Sequence, residues 1–183
     1  MFYPTDQFPY AAMLEENWSV IRDDYSRLAA TDFMAWPERH LYDKGWAVFG
    51  LYAFGRAIPQ NCKLCPATTR IIESIPGMVT AGFSQMAPGT HIAPHVGYTS
   101  VVLRCHLGII VPEGCALRVG SETRAWETGR CLIFDDTIEH EAWNRSLANR
   151  TVLLMDIKRP GQNTPIGIPA SVAAAVAKLT AQK

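Results

Sequence analysis

The sequence predicts a mainly β protein, an antiparallel barrel or double-sheet jelly roll preceded by helices, and three observations carry that expectation. After Pro76, short apolar runs are separated by the turn-forming stretches APG, PEG, VGSET and ETG, and strands at such close spacing fold into a barrel or a double-sheet roll. The segment GWAVFGLYAFG, Gly45 to Gly55, is rich in aromatic residues and bounded by glycines, which marks a strand. Ahead of it, Leu14, Trp18, Ile21, Tyr25 and Leu28 recur at three- and four-residue intervals, the spacing of a helix with one buried face.

In chain order, the expected elements are a packing helix from Tyr10 to Leu28, the strand from Gly45 to Gly55, and a short helix near Pro66 to Ser74. Pro76 stops that second helix, because proline cannot continue one. The 183 residues suit one domain, divided into a helical flank over 1–77 and a β-core over 78–160. A tail over 161–183 opens with GQNTPIGIP and continues as the Ala-rich ASVAAAVAKLTAQK. Its composition suits a terminal helix and a loosely attached segment equally. The chain contains no internal repeat and no phosphate loop of the GxxxxGK[ST] kind.

Composition narrows the function classes. Apolar residues make up 48% and charged residues 19%, a globular balance too hydrophobic for a disordered chain. Seventeen basic and seventeen acidic residues give zero formal net charge, so neither nucleic acid nor an anionic membrane surface is an expected partner. The N-terminus has no basic stretch leading into an apolar run, and no segment has the length of an apolar membrane span; a soluble, cytoplasmic protein is expected. Five cysteines without a secretion signal favour free thiols. Cys62 and Cys65 form a CxxC, which is half of a tetrahedral zinc site with no second half in the sequence.

The chemistry concentrates in GTHIAPHVGYTSVVLRCHLGIIVP, Gly89 to Pro112, which holds three of the five histidines. Alternation along a strand puts Val101, Leu103, Cys105, Leu107 and Ile109 on one face and Val102, Arg104, His106, Gly108 and Ile110 on the other. Arg104 and His106 thus point together and need an anionic or hydrogen-bonding partner; an internal salt bridge and a bound anion both satisfy that need. His95 precedes the strand in PHVG. In two-histidine-one-carboxylate iron sites, HxD supplies two ligands, but here Gly97 stands at the carboxylate position. The further histidine of such a site comes from a distant strand, and LIFDDTIEHEAWN offers His140. Arg150 then opens the apolar strand RTVLLMDIKRP, where an arginine can grip a carboxylate through two parallel hydrogen bonds. A metal pair with an inward arginine suits a small dicarboxylate that also chelates iron, as 2-oxoglutarate does.

From about Trp46 to Pro160 the chain resembles the aspartyl/asparaginyl β-hydroxylase family of Fe(II)- and 2-oxoglutarate-dependent dioxygenases. The resemblance rests on NCKLCPATTRIIESIPG, PGTHIAPHVG, LRCHLGIIVP, ETRAWETGRCLIFDDTIEHEAWN and DIKRP, in that order. It implies a double-stranded β-helix, with His95 and His140 as catalytic iron ligands and Gly97 as the glycine that stands, in the aspartyl hydroxylase branch, where most relatives have Asp or Glu. It further implies that Arg104 and His106 hold the oxalyl end of 2-oxoglutarate, while Ser84 and Arg150 bind its distal carboxylate. With Fe(II), 2-oxoglutarate and O2, the implied activity is hydroxylation of an aspartyl- or asparaginyl-type substrate, free, peptidic or carrier-bound, at an unactivated carbon such as the β-carbon.

Two rival functions are a cupin-like metal-binding or sensor module that performs no oxygenation, and a halogenase using the space beside Gly97 for chloride. Gly97 also has a bland reading as a turn glycine. Asp135 and Asp136 invite two readings, a replacement third ligand or an acid orienting the second ring nitrogen of His140, and water is the expected third ligand. His91 is a candidate substrate or outer contact, and His40 a surface residue. The CxxC is expected to serve packing or the substrate mouth.

Overall fold

A computed structural model describes residues 1–181 and stacks helices, a large antiparallel sheet and a small antiparallel sheet as three layers. With elements numbered in chain order, the large sheet runs β1 (Phe2–Tyr3), β10 (Cys131–Phe134), β7 (Val102–Ile110), β12 (Arg150–Lys158), β5 (Met78–Met86), β3 (Trp46–Ala53), β2 (Met34–Ala35). A short β4 (Arg56–Ala57) pairs back onto β3. The small sheet runs β6 (His91–His95), β11 (His140–Asn144), β8 (Cys115–Val119), β9 (Glu122–Ala125). The expected double-stranded β-helix with N-terminal helices is the architecture found.

The alternation along β7 sorts its side chains between two cores. Leu103, Cys105, Leu107 and Ile109 are buried beneath the helices with Phe49, Phe83 and Leu153. Arg104 and His106 face the interior of the roll, where Trp46, Phe134 and Leu154 pack toward the small sheet. In-register neighbours share a face, so Thr80, Asp156 and Arg104 form one cross-strand row over β5, β12 and β7, and Gly82, Leu154 and His106 form the next.

Two boundaries differ from expectation. Residues 1–77 are not purely a helical flank, since β1 and β3 are members of the large sheet, β3 beside β5. The local pattern marked β3 as a strand, but its partner is set by pairing across the fold. The helix expected over Tyr10–Leu28 is two helices, α1 (Pro9–Glu16) and α2 (Trp18–Ser26), joined at Asn17. The Asn17 side chain donates to Met13 O at 2.8 Å, a local bond of the kind that makes asparagine a poor helix former. The apolar stripe survives the break, with Leu14 and Ile21 fully buried and Trp18, Tyr25 and Leu28 packed against the same core.

The remaining helices are α3 (Pro59–Leu64), α4 (Pro66–Glu73) and α5 (Ala170–Thr180). Proline opens α3 and α4, its fixed φ suiting the first turn. The buried Asp24 of α2 accepts from the backbone N of Thr68 at 2.7 Å and from its Oγ1 at 2.9 Å, and also pairs with Arg27. It thus satisfies an orphan donor in the first turn of α4. Cys65 is buried in the helix-facing core and Cys62 packs at its edge, so the CxxC serves packing. The tail folds as α5, whose Val176 is buried against Ala53 and Ile58. No helix among the described residues is long and apolar enough to cross a membrane.

Candidate active site

Between the two sheets, one small cavity of about 30 Å³ is lined by Ser84, His95, Arg104, His106, His140 and Arg150 together. These are the six residues singled out from the sequence, and they arrive from five strands, β5, β6, β7, β11 and β12.

His95 and His140 face each other across the β6–β11 pair, with ring centroids 4.2 Å apart. Each Nδ1 bonds the carbonyl two residues upstream, His95 to Ala93 O at 2.8 Å and His140 to Ile138 O at 2.9 Å. A carbonyl accepts only from N–H, so both rings carry the proton on Nδ1 and leave the Nε2 lone pair free, the form that ligates a metal. Burial lowers the pKa of both rings; that of His140 is pushed down to about 3, with His95 and Arg104 adding repulsion. Metal binding needs neutral imidazole, and these surroundings supply it.

A bulge explains which histidines converge. Ala142 pairs with Ile92 but His140 with His95, so β6 spends one more residue than β11 between the two pairs. Pro94, which lacks an N–H, sits within that irregularity on an edge strand, where proline is tolerated. The bulge turns His95 inward, while His91 remains on the outer surface, 2.7 Å from Glu141. His91 is therefore an outer-face residue and not a contact of this cavity. His40 lies at the border of a second, larger cavity.

Elsewhere in the lining of the small cavity, buried donors stand without acceptors. Arg150 is 1% exposed and makes no ion pair with any of the described residues. Its guanidinium lies over the Trp126 ring at 4.4 Å, donates to Ser84 O at 3.3 Å and touches Met86 Sδ, while Nε has no partner. Burial pushes its pKa down, as expected for a cation without counter-charge. Ser84 Oγ accepts from Trp46 Nε1 at 3.0 Å, leaving the hydroxyl proton free to donate. Trp126 Nε1 donates to His106 Nδ1 at 3.2 Å, so the neutral His106 ring carries its proton on Nε2, which is buried without a partner. Burial, then Arg150, Arg104 and His140, holds the His106 pKa well below its ordinary value. Such unsatisfied buried donors are costly unless a ligand receives them.

Arg104 is committed to acids. It forms a two-point bond to Asp156 at 2.8 and 3.2 Å and an ion pair with Asp136 at 3.1 Å. The internal salt bridge open at the sequence level is thus present, and the same guanidinium still borders the cavity. Asp136 is buried, and a Cβ built on Gly97 would overlap its carboxyl group. Gly97 N also donates to Asp136 O at 2.6 Å. The φ of Gly97 lies outside the left-handed region, so the position requires glycine for space, not for a turn. Burial, opposed by Arg104 and reinforced by Asp156 and Asp135, raises the Asp136 pKa. Neither acid orients His140, whose Nδ1 is taken by Ile138 O. Asp135 is a turn residue, bonded by Thr137 Oγ1 and Arg159 at 2.6 Å each.

Sequence reasoning missed Trp46, Trp126 and Asp156. An acid in the otherwise apolar RTVLLMDIK was a signal for Asp156; nothing local marks the two indoles. The larger cavity, about 440 Å³, shares Trp46, His95, Arg104 and Leu154 with the small one and extends toward solvent beneath α5.

A profile of the aspartyl/asparaginyl β-hydroxylase family matches residues 15–160. The chain belongs to this family. Among curated relatives it is 38% identical over 169 residues to an ornithine lipid ester-linked acyl 2-hydroxylase of Rhizobium tropici, covering 86% of this chain and 60% of that protein. It is 41% identical over 160 residues to the human aspartyl/asparaginyl β-hydroxylase, covering 80% of this chain and 21% of that protein. This family member thus spans less than two thirds of the length of these two relatives. A crystal structure of a Pseudomonas putida prolyl-4-hydroxylase superposes with a TM-score of 0.52 at 15% identity, over 83% of this chain and all of that one, a likeness of fold alone.

Proposed function

We propose that this family member is an Fe(II)- and 2-oxoglutarate-dependent hydroxylase of an aspartyl- or asparaginyl-type substrate, acting at an unactivated carbon such as the β-carbon. The observation that carries the reading is Arg150, a buried guanidinium with no acid partner, lining one cavity with two neutral imidazoles. Such a charge needs a bound anion. His95 and His140 fit the metal through their free Nε2 atoms. Arg150 and Ser84 fit one carboxylate of a small diacid, and the His106 Nε2–H fits the other, beside the Arg104 guanidinium that Asp156 and Asp136 hold. When bound, Fe(II), 2-oxoglutarate and O2 would supply an oxidant for a C–H bond, with 2-oxoglutarate consumed to succinate and CO2.

The protein contributes placement and dryness. The Nδ1 bonds to Ala93 and Ile138 hold both imidazoles in one tautomer and orientation, and Trp46 and Trp126 fix the donors that receive the diacid. The surrounding apolar layer, including Phe134 and Leu154, keeps water from the reacting centre. The relatives' names support hydroxylation. Asp136 argues against the halogenase alternative, because a buried carboxyl group already fills the space beside Gly97 and a chloride there would meet a like charge.

The test supplies Fe(II), ascorbate and 2-oxoglutarate to the purified protein with a panel of aspartyl and asparaginyl derivatives. Succinate is expected in step with product that has gained one oxygen atom. A chlorinated product would replace this reading with the halogenase, and absence of succinate across the panel, with iron bound, would favour the sensor module.

A further inference from the structure

We propose that α5, which lies outside the region matched by the family profile, is a specificity wall that selects substrates carrying an apolar arm over bare dicarboxylic amino acids. The inference rests on the hydroxylase reading above and concerns the same site. Val172, Ala175, Val176 and Leu179 recur at helical spacing and line the larger cavity together. Trp36, Val48, Tyr52 and Phe54 line the same cavity, and Phe54 packs in one apolar cluster with Val172 and Leu179. The helix is held in place by Val176 against Ala53 and Ile58. Ser171 Oγ adds a bond to Glu38 Oε1 at 3.0 Å, which ties α5 to the segment carrying Trp36.

Charge decides what this cavity accepts. Arg104 is the one Lys or Arg among its described lining residues, and Asp156 and Asp136 already hold it. A substrate carboxylate therefore finds no uncommitted cation along the wall, whereas an apolar group finds aliphatic and aromatic carbon. The wall also offers a polar anchor, since Thr80 Oγ1 is buried in it without a partner. His95 and Arg104 border both cavities, so an arm lying under α5 leads its polar head toward the candidate metal site.

The test is anaerobic calorimetric titration of L-aspartate and N-decanoyl-L-aspartate into the full chain loaded with Fe(II) and 2-oxoglutarate, then into the chain without them. The acylated probe should bind on the order of a hundredfold tighter, as burial of a few methylenes provides. Ala175→Phe, which fills the cavity, and Val172→Asp, which charges its wall, should each abolish most of that preference. The visible charge-transfer absorbance of the Fe(II)–2-oxoglutarate complex should be unchanged in both variants. Equal affinity for the two probes, or a preference that survives both substitutions, overturns the proposal. If that absorbance never forms, the cofactor reading fails by itself, and the titrations without iron still decide the role of α5.

Discussion

Arg150 is buried where no acid among the described residues pairs with it, and on the proposed reading its value to the protein lies in the diacid it binds. Arg150→Met removes the charge while retaining much of the volume. The metal-free variant should be more stable than the parent by about 1–4 kcal/mol, taking the range seen when buried ion pairs give way to apolar packing, and should no longer respond to 2-oxoglutarate. Denaturant titration with and without the diacid measures both effects; a destabilised variant that still responds would make Arg150 a structural residue. Gly97 is the second decisive position. An aspartate there, which the bare HxD pattern would place on the metal, collides instead with Asp136. Gly97→Asp should lower the melting temperature and iron affinity together, and Gly97→Asp with Asp136→Gly should restore both. Independent, additive losses in the double variant would disprove the exchange of space between the two positions. The candidate roles of His95, Arg104, His106, His140 and Arg150 were legible in the sequence, because an Arg in an apolar strand or a paired His announces chemistry by itself, whereas Ser84 entered only through the family resemblance. The filling of the Gly97 space was not, because Asp136 lies on another loop.

At the scale of elements, the clearest device is the Asp24 clamp between α2 and α4. Its carboxylate serves two donors of Thr68, and Asp24→Ala leaves a buried backbone N–H and hydroxyl without acceptors. The expected loss is about 1.5–3 kcal/mol, seen as a lower urea midpoint with unchanged slope. Binding of 2-oxoglutarate should not change, because the clamp lies on the helix side of the large sheet and the site on the other. An unaltered midpoint would mean that water or Arg27 compensates. The strand faces of β7 were legible because period-two alternation is a local property. The bulge in β6 was not: PHVG contains the proline that permits it, but the extra residue exists only relative to the register of β11.

For the whole molecule, a site made from five strands couples ligand binding to the integrity of the roll. Anything that binds the folded state alone stabilises it by mass action. With Mn(II) as a redox-inert stand-in, 2-oxoglutarate at a hundred times its dissociation constant should add about 2.7 kcal/mol. For a chain of this size that is a rise in melting temperature of roughly 5–10 °C, to be followed by calorimetry. No rise with either His95→Ala or the parent would show that the diacid does not bind where the six residues meet.

The sequence by itself determined the kinds of element, the inward pairing of Arg104 with His106, and five of the six candidate side chains that line the small cavity, because periodicity and residue chemistry are carried by each segment alone; Ser84 was reached only through the family resemblance. Tertiary structure decided that β3 belongs to the large sheet, that His91 faces out while His95 faces in, that Asp136 fills the space at Gly97, and that the tail walls the larger cavity. Each of those outcomes depends on register and contact between segments far apart in the chain, and no local pattern encodes the partner that a strand, a carboxylate or a helix face will meet.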